Sequence, residues 1–252
     1  MTPETAAPPH ANTIVEVELP LHNHAALEQL KQERDRLSVE VTATGAAGIA
    51  TSLTINPIGL FLFALAYPPM IQIEKLTRII LIMEELLTEF ESVGIQIYPA
   101  MEAEGENNAI DLFLRFPRQL HIFMSIRSKG DAKVSFHEDK KSLYVKREKK
   151  GKKDWKPCPL TELNSYTLWL NHNRLRFNMS SKEARNIPLT KLLILWKPTK
   201  LEDHPQHLYL NIGSVELLGC RHRGLAFVYQ REDVMKFVTA CLSKYPEIIP
   251  QK

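Results

Sequence analysis

Apolar positions recur along this chain with a helical period up to about residue 92 and an extended one beyond it. Leu27, Leu30, Leu37 and Val41 fall at spacings of three, seven and four, with Glu28, Lys31, Glu33 and Arg34 on the polar side, which predicts an amphipathic helix over residues 25–41. Leu76, Ile79, Ile80, Met83, Leu86, Leu87 and Phe90 make a wide apolar stripe and predict a second helix over 73–92, ended by Gly94. Shorter runs follow. Residues 95–99, 110–116, 120–126, 133–136, 142–146, 189–196, 208–212 and 227–228 read as strands, and 160–170 and 232–243 as helices. Strands interleaved with helices predict an α/β layered domain, a mixed sheet flanked by helices.

Between the two helical patterns lies a stretch of 33 residues, 41–73, with no charged side chain, bounded by Glu40 and Glu74. A helix crossing a bilayer core needs about 20 predominantly apolar residues, so the stretch is long enough to span. Its first half is rich in Ala, Gly and Thr, the composition that lets membrane helices approach closely. Its second half, residues 58–67, is strongly apolar. Asn56-Pro57 separates the halves, and Pro68-Pro69 is expected to end the second. A kinked single span, a two-helix hairpin in a membrane and a hairpin buried in the fold all fit this pattern.

The resulting division is a tail (1–20), an amphipathic helix (21–40), the apolar segment (41–73) and an α/β domain (74–252). Residues 1–12 are Pro-, Ala- and Thr-rich and contain no Lys or Arg, which reads as a disordered tail and not a signal peptide. Cys158, Cys220 and Cys241 form no CxxC pair and are odd in number, which fits a reducing compartment, the cytoplasm or the cytoplasmic face of a membrane. The net charge of +3 is too small to imply a nucleic-acid partner. Locally the balance differs: residues 140–156 hold nine Lys or Arg against Glu148 and Asp154. Lys146, Arg147, Lys149, Lys150, Lys152 and Lys153 cluster around Gly151 as a hairpin tip. They are candidates for contact with DNA phosphates or anionic lipid headgroups.

The chemistry-bearing pattern runs from Asn107 to Trp155. It comprises Ile110-Asp111, an apolar run, Pro117, a second apolar run ending in Ser125-Ile126-Arg127, then Gly130, Val134 and Trp155. Over residues 74–240 this resembles the NERD (nuclease-related domain) group of the PD-(D/E)XK superfamily. That resemblance implies a restriction-endonuclease-like α/β core, a divalent metal and a DNA substrate. It matches Asp111 to the metal-binding Asp, Ser125 to the second carboxylate, Arg127 to the Lys, and one of Glu84, Glu85 or Glu89 to an upstream acid. Ser125 is a poor Mg²⁺ ligand, because it is neutral and the ion prefers carboxylate oxygen. Arg127 keeps a positive charge but cannot give up a proton as Lys can. The expectation is a degenerate site with Asp111 as the remaining metal ligand, in a domain that binds nucleic acid or a protein without cutting. The alternative is a Mg²⁺-dependent DNA endonuclease with a shifted or incomplete site, for which Asp131-Ala132-Lys133 and Glu138-Asp139-Lys140 supply acid-x-Lys triplets. His121, alternating with apolar neighbours, reads as a satisfied core histidine, and His204 and His207 as surface residues.

Overall fold

The computed structural model describes residues 20–52, 56–101, 110–117, 120–148, 150–186 and 189–244, without the side chains of residues 45, 47–52, 56–66, 150 and 186. The tail expected over 1–20 lies, apart from Pro20, outside the described residues, as does the acidic loop at 102–109. The chain opens with two long helices, α1 (Asn23–Ser52) and α2 (Asn56–Phe90). Lys31 Nζ stands 2.9 Å from Glu84, and His24 Nε2 2.8 Å from Glu91, so the helices run antiparallel as a hairpin. Both are longer than their periodicity suggested. Pro68 and Pro69, read as a stop, lie inside α2. Tyr67, Pro68 and Met70 are exposed there, so the missing N–H donors and any local bend disturb no packed surface. Of the uncharged segment 41–73, residues 41–52 lie in the C-terminal part of α1 and residues 56–73 in the N-terminal part of α2. Among the described residues no helix is long and apolar enough to cross a membrane. The centre of the segment expected to associate with one, residues 47–66, has its side chains outside that description.

Along the chain then come β1 (Gln96–Met101), β2 (Ile110–Phe116), β3 (Leu120–Arg127), β4 (Lys133–His137), β5 (Ser142–Arg147) and β6 (Lys150–Asp154). They are followed by α3 (Pro159–Asn173), α4 (Ser181–Asn186), β7 (Leu189–Leu195), β8 (Lys200–Leu201) and β9 (Tyr209–Ile212). The last elements are β10 (Val215–Arg221), β11 (Leu225–Gln230) and α5 (Val234–Ser243). A seven-stranded mixed sheet has the order β1-β2-β3-β7-β11-β10-β9, and a four-stranded sheet the order β6-β5-β4-β8. The α/β class and the mixed sheet flanked by helices are as the sequence predicts.

The large sheet is apolar on both faces. One face packs Leu112, Leu114, Ile122, Met124 and Ile194 against Leu76–Phe90 of α2, the start of α1 and α5. The other packs Phe113, Phe123, Leu193 and Val228 against Leu160, Leu163 and Tyr166 of α3 and against the small sheet through Val134, Leu143 and Trp155. Two turns join the sheets side by side. Gly130 adopts φ +66°, a conformation only glycine takes without strain, and swings the chain from β3 into β4. Thr199, fully buried, ties that turn to the β7–β8 connection: its hydroxyl accepts from Lys129 N at 2.7 Å and donates to Gly130 O at 3.0 Å.

Candidate functional site

β2 and β3 pair antiparallel with Leu112 opposite Met124, so one further step brings Asp111 opposite Ser125 at the same end of the two strands. Pairing stops there, and the Asp111 carboxylate takes over: its Oδ2 accepts the Ile126 backbone N–H at 2.7 Å. The same oxygen accepts Arg127 Nη1, while Arg127 Nη2 donates to Glu162 Oε2 at 2.7 Å. Lys75 Nζ, reaching from α2, lies 2.9 Å from Asp111 Oδ1 as an ion pair outside hydrogen-bond geometry. Asp111 is fully buried, and the Glu162 and Arg127 side chains are 8% and 19% exposed. One guanidinium thus bridges two sequestered carboxylates, and Lys75 brings the group of four to neutrality.

This arrangement sets the site's electrostatics. Burial alone would pull the Arg127 pKa down, but Asp111 and Glu162 outweigh it and raise it above the ordinary arginine value, so the bridge stays charged. Lys129, two residues on, has its pKa lowered by burial first and then by Arg147 and Arg127. Its ammonium sits 5.1 Å from the ring centre of Trp155, the buried tryptophan of the sequence pattern. Ser125 is fully buried, and among the described residues its hydroxyl has no hydrogen-bond partner.

Sequence reasoning thus brought Asp111, Ser125 and Arg127 together but missed two members of the cluster. Glu162 stands in the first turn of α3, just behind Pro159, where an acid also complements the helix dipole. Lys75 sits directly after the uncharged stretch. The glutamates proposed as the upstream acid go elsewhere: Glu84 pairs with Lys31, Glu85 with Arg231, and Glu89 is exposed. The two acid-x-Lys triplets lie on the small sheet: Asp131 and Lys133 are exposed beside β4, and Glu138 pairs with His207 at the β4–β5 turn. His121 is buried, yet among the described residues neither ring nitrogen has a hydrogen-bond partner, which corrects the expectation of a satisfied histidine. His207 is exposed as expected. His204 is half-buried and accepts the Phe136 backbone N–H at 2.7 Å through Nε2, so it holds the small sheet instead of lying on the surface.

The basic tip is a true hairpin, and its second arm is strand β6. Lys146, Arg147, Lys152 and Lys153 are exposed, Lys150 lies in β6 with its side chain outside the description, and Lys149 is outside the described residues. Register adds what the sequence did not offer. Lys133 stands directly opposite Lys146 on one side and opposite Lys200 on the other, so three lysines form a row across β5, β4 and β8. Arg147 is opposite Lys150 on the adjoining strand. Neighbouring strands lie about 4.8 Å apart, and like charges directly opposite each other are destabilising. Arg147 also lines two shallow cavities. One, of about 220 Å³, adds Lys129, Lys153, Trp155 and Lys156 with Asp154; the other, of about 290 Å³, adds Lys133, Lys146 and Lys200 with Asp131 and Glu148. Among the described residues no group of three His, Cys, Asp or Glu is placed to hold a metal ion. No family model, curated protein or solved structure matches the chain.

Proposed function

We propose that this chain is a nuclease-like domain of the NERD type that binds the phosphate backbone of nucleic acid without cutting it. The observation that carries the reading is the Arg127 bridge between Asp111 and Glu162. The family pattern has an Asp at the start of one strand and an acid-x-Lys triplet on the next, where two carboxylates share a divalent cation. Here Asp111 leads β2, Ser125-x-Arg127 closes β3, and two carboxylates share a guanidinium. A Mg²⁺ ion would have to displace Arg127 and would then leave its charge unpaired in a mostly buried place, a cost of several kcal/mol. If metal binds, Asp111 is the ligand that the family pattern assigns, and Glu162 is the second carboxylate at the bridge.

Support for the substrate class comes from the lysine row. Cations held opposite one another across three strands lower stability unless an anion lies over them, and a phosphate backbone supplies a line of such anions. Trp155 and Tyr144 lie among these cations, with Lys129 over the first and Lys140 and Lys152 over the second. The described part of this surface offers lysine and arginine charges, which contact phosphates irrespective of base sequence, so the binding proposed is sequence-independent. The same reading sets the domain at the cytoplasmic face of a membrane through residues 41–73.

The test is fluorescence anisotropy of labelled single- and double-stranded oligonucleotides at low salt, alongside plasmid incubated with Mg²⁺ or Mn²⁺. The expected result is binding without sequence preference and intact plasmid. Nicking that vanishes in Asp111→Ala would establish the endonuclease alternative, and no binding at low salt would turn the basic sheet into a protein-docking surface.

A further inference from the structure

Beyond Lys75, which pairs with Asp111, and Ile73, which packs against the core, the distal part of the α1–α2 hairpin presents exposed apolar side chains among the described residues. Leu37 on α1 and Leu76 on α2 are the last residues buried against the sheet; none of the described residues in 38–46 or 67–75 is buried. Val39, Tyr67, Met70 and Ile71 are 70%, 65%, 54% and 51% exposed. We infer that this part of the hairpin enters a lipid bilayer and returns through the same leaflet, a monotopic anchor rather than a span. The inference rests on the membrane part of the reading above and sharpens it.

Three features select lipid as the occupant. First, no side chain between Glu40 and Glu74 is charged, so nothing ionic would be dragged out of water along either arm. Second, residues 58–66 are Ile-Gly-Leu-Phe-Leu-Phe-Ala-Leu-Ala, a helical run whose sequence contains no polar residue. A contact with a second copy needs only an apolar stripe and leaves a polar outer face; a helix apolar all round is enclosed on every side. Third, the lengths fit. Residues 41–52 and 57–67 each rise about 16–18 Å at about 1.5 Å per residue, roughly half of a hydrocarbon core of about 30 Å. Exposed Tyr67 closes the α2 arm at the level where aromatic side chains favour the headgroup boundary.

The experiment uses the full chain and vesicles of phosphatidylcholine alone, which offer no anionic headgroup to the basic sheet. Wild type should float with the vesicles, resist high salt and carbonate, and leave only with detergent. Phe61→Asp/Phe63→Asp should cut the vesicle-bound fraction at least roughly tenfold with helical content by circular dichroism unchanged. Replacing Lys146, Arg147, Lys152 and Lys153 with Ser should leave it unaltered. A wild type that does not float overturns the membrane reading as a whole. So does a dimer in solution that dissociates in the double Asp variant, since a second copy then covers the tip. Depth is read from Thr54→Cys and a membrane-impermeant maleimide, against the wild-type cysteines as background. Protection from both the outside and the vesicle lumen is the expected result. Labelling from the lumen means the hairpin crosses, which overturns the one-leaflet inference and leaves membrane attachment standing; labelling from outside means the tip is not inserted and overturns the inference.

Discussion

Arg127 bridges two acidic side chains that are almost wholly shielded from water, so removing it takes a buried countercharge from both. Arg127→Met should lower stability by about 3–5 kcal/mol, the cost of breaking a buried pair from one side. Adding Asp111→Asn should recover part of that loss, because one of the two carboxylates that lost their countercharge is gone; chemical denaturation of the two variants checks it. Ser125 makes the opposite case. Its hydroxyl is buried without a partner among the described residues, so Ser125→Ala should raise stability by about 1 kcal/mol or leave it unchanged. His121 gives the chain a defined acid sensitivity. Burial, and then Arg115, lowers its pKa from 6.5 to about 3, so the folded state holds it neutral while the unfolded chain protonates near 6.5. A depressed histidine pKa contributes its full stability above about pH 6.5 and loses it as pH falls toward 3. At pH 5 the loss is about 2 kcal/mol. His121→Phe should therefore be more stable than wild type at pH 5 by more than it is at pH 8, as read from paired denaturation curves.

At the scale of elements, the proposed nucleic-acid contact rests on the lysine row across β5, β4 and β8. Replacing Lys149, Lys150, Lys152 and Lys153 with Ser should flatten the salt dependence of nucleic-acid binding, at roughly 0.9 in the log–log slope per lost phosphate contact on duplex DNA. The thermal midpoint should stay the same, since a hairpin tip adds little to the core; a slope that does not change moves the contact to Lys133, Lys146 and Lys200. How far these elements could be read in the sequence depended on local signal. β2, β3 and β7 are buried apolar runs, and their periodicity placed them within a residue or so. β10, which contains Gly219, is not among the strands that the periodicity predicts. In the fold Gly219 permits close approach: a Cβ there would stand 2.8 Å from Leu210 Cδ1. β8 has only two residues, and it exists because Lys200 N and Glu202 N find the carbonyls of Ala132 and Val134 on β4. α2 ran past Pro68-Pro69 because local propensity at an exposed stretch does not decide the path of a helix anchored by packing further along.

At the scale of the molecule, the site exists because the large sheet sets β2 antiparallel and β7 parallel beside β3, and because α3 crosses back over β3 and β7. Asp111 and Arg127 were legible as a pair, since they end two adjoining apolar runs. Glu162 and Lys75 were not: they arrive from helices 35 residues after Arg127 and 36 before Asp111, and no local pattern records where those helices dock. That docking closes the Asp111–Arg127–Glu162 bridge, and the central proposal is that this bridge takes the place a metal would have. It is tested most directly by titrating the protein into Mn²⁺ and following the electron paramagnetic resonance signal of the free ion. The account predicts that Arg127→Ala, if it remains folded, binds Mn²⁺ through Asp111 and Glu162 and that wild type shows no saturable uptake. Saturable uptake by wild type that is lost in Asp111→Asn would contradict it.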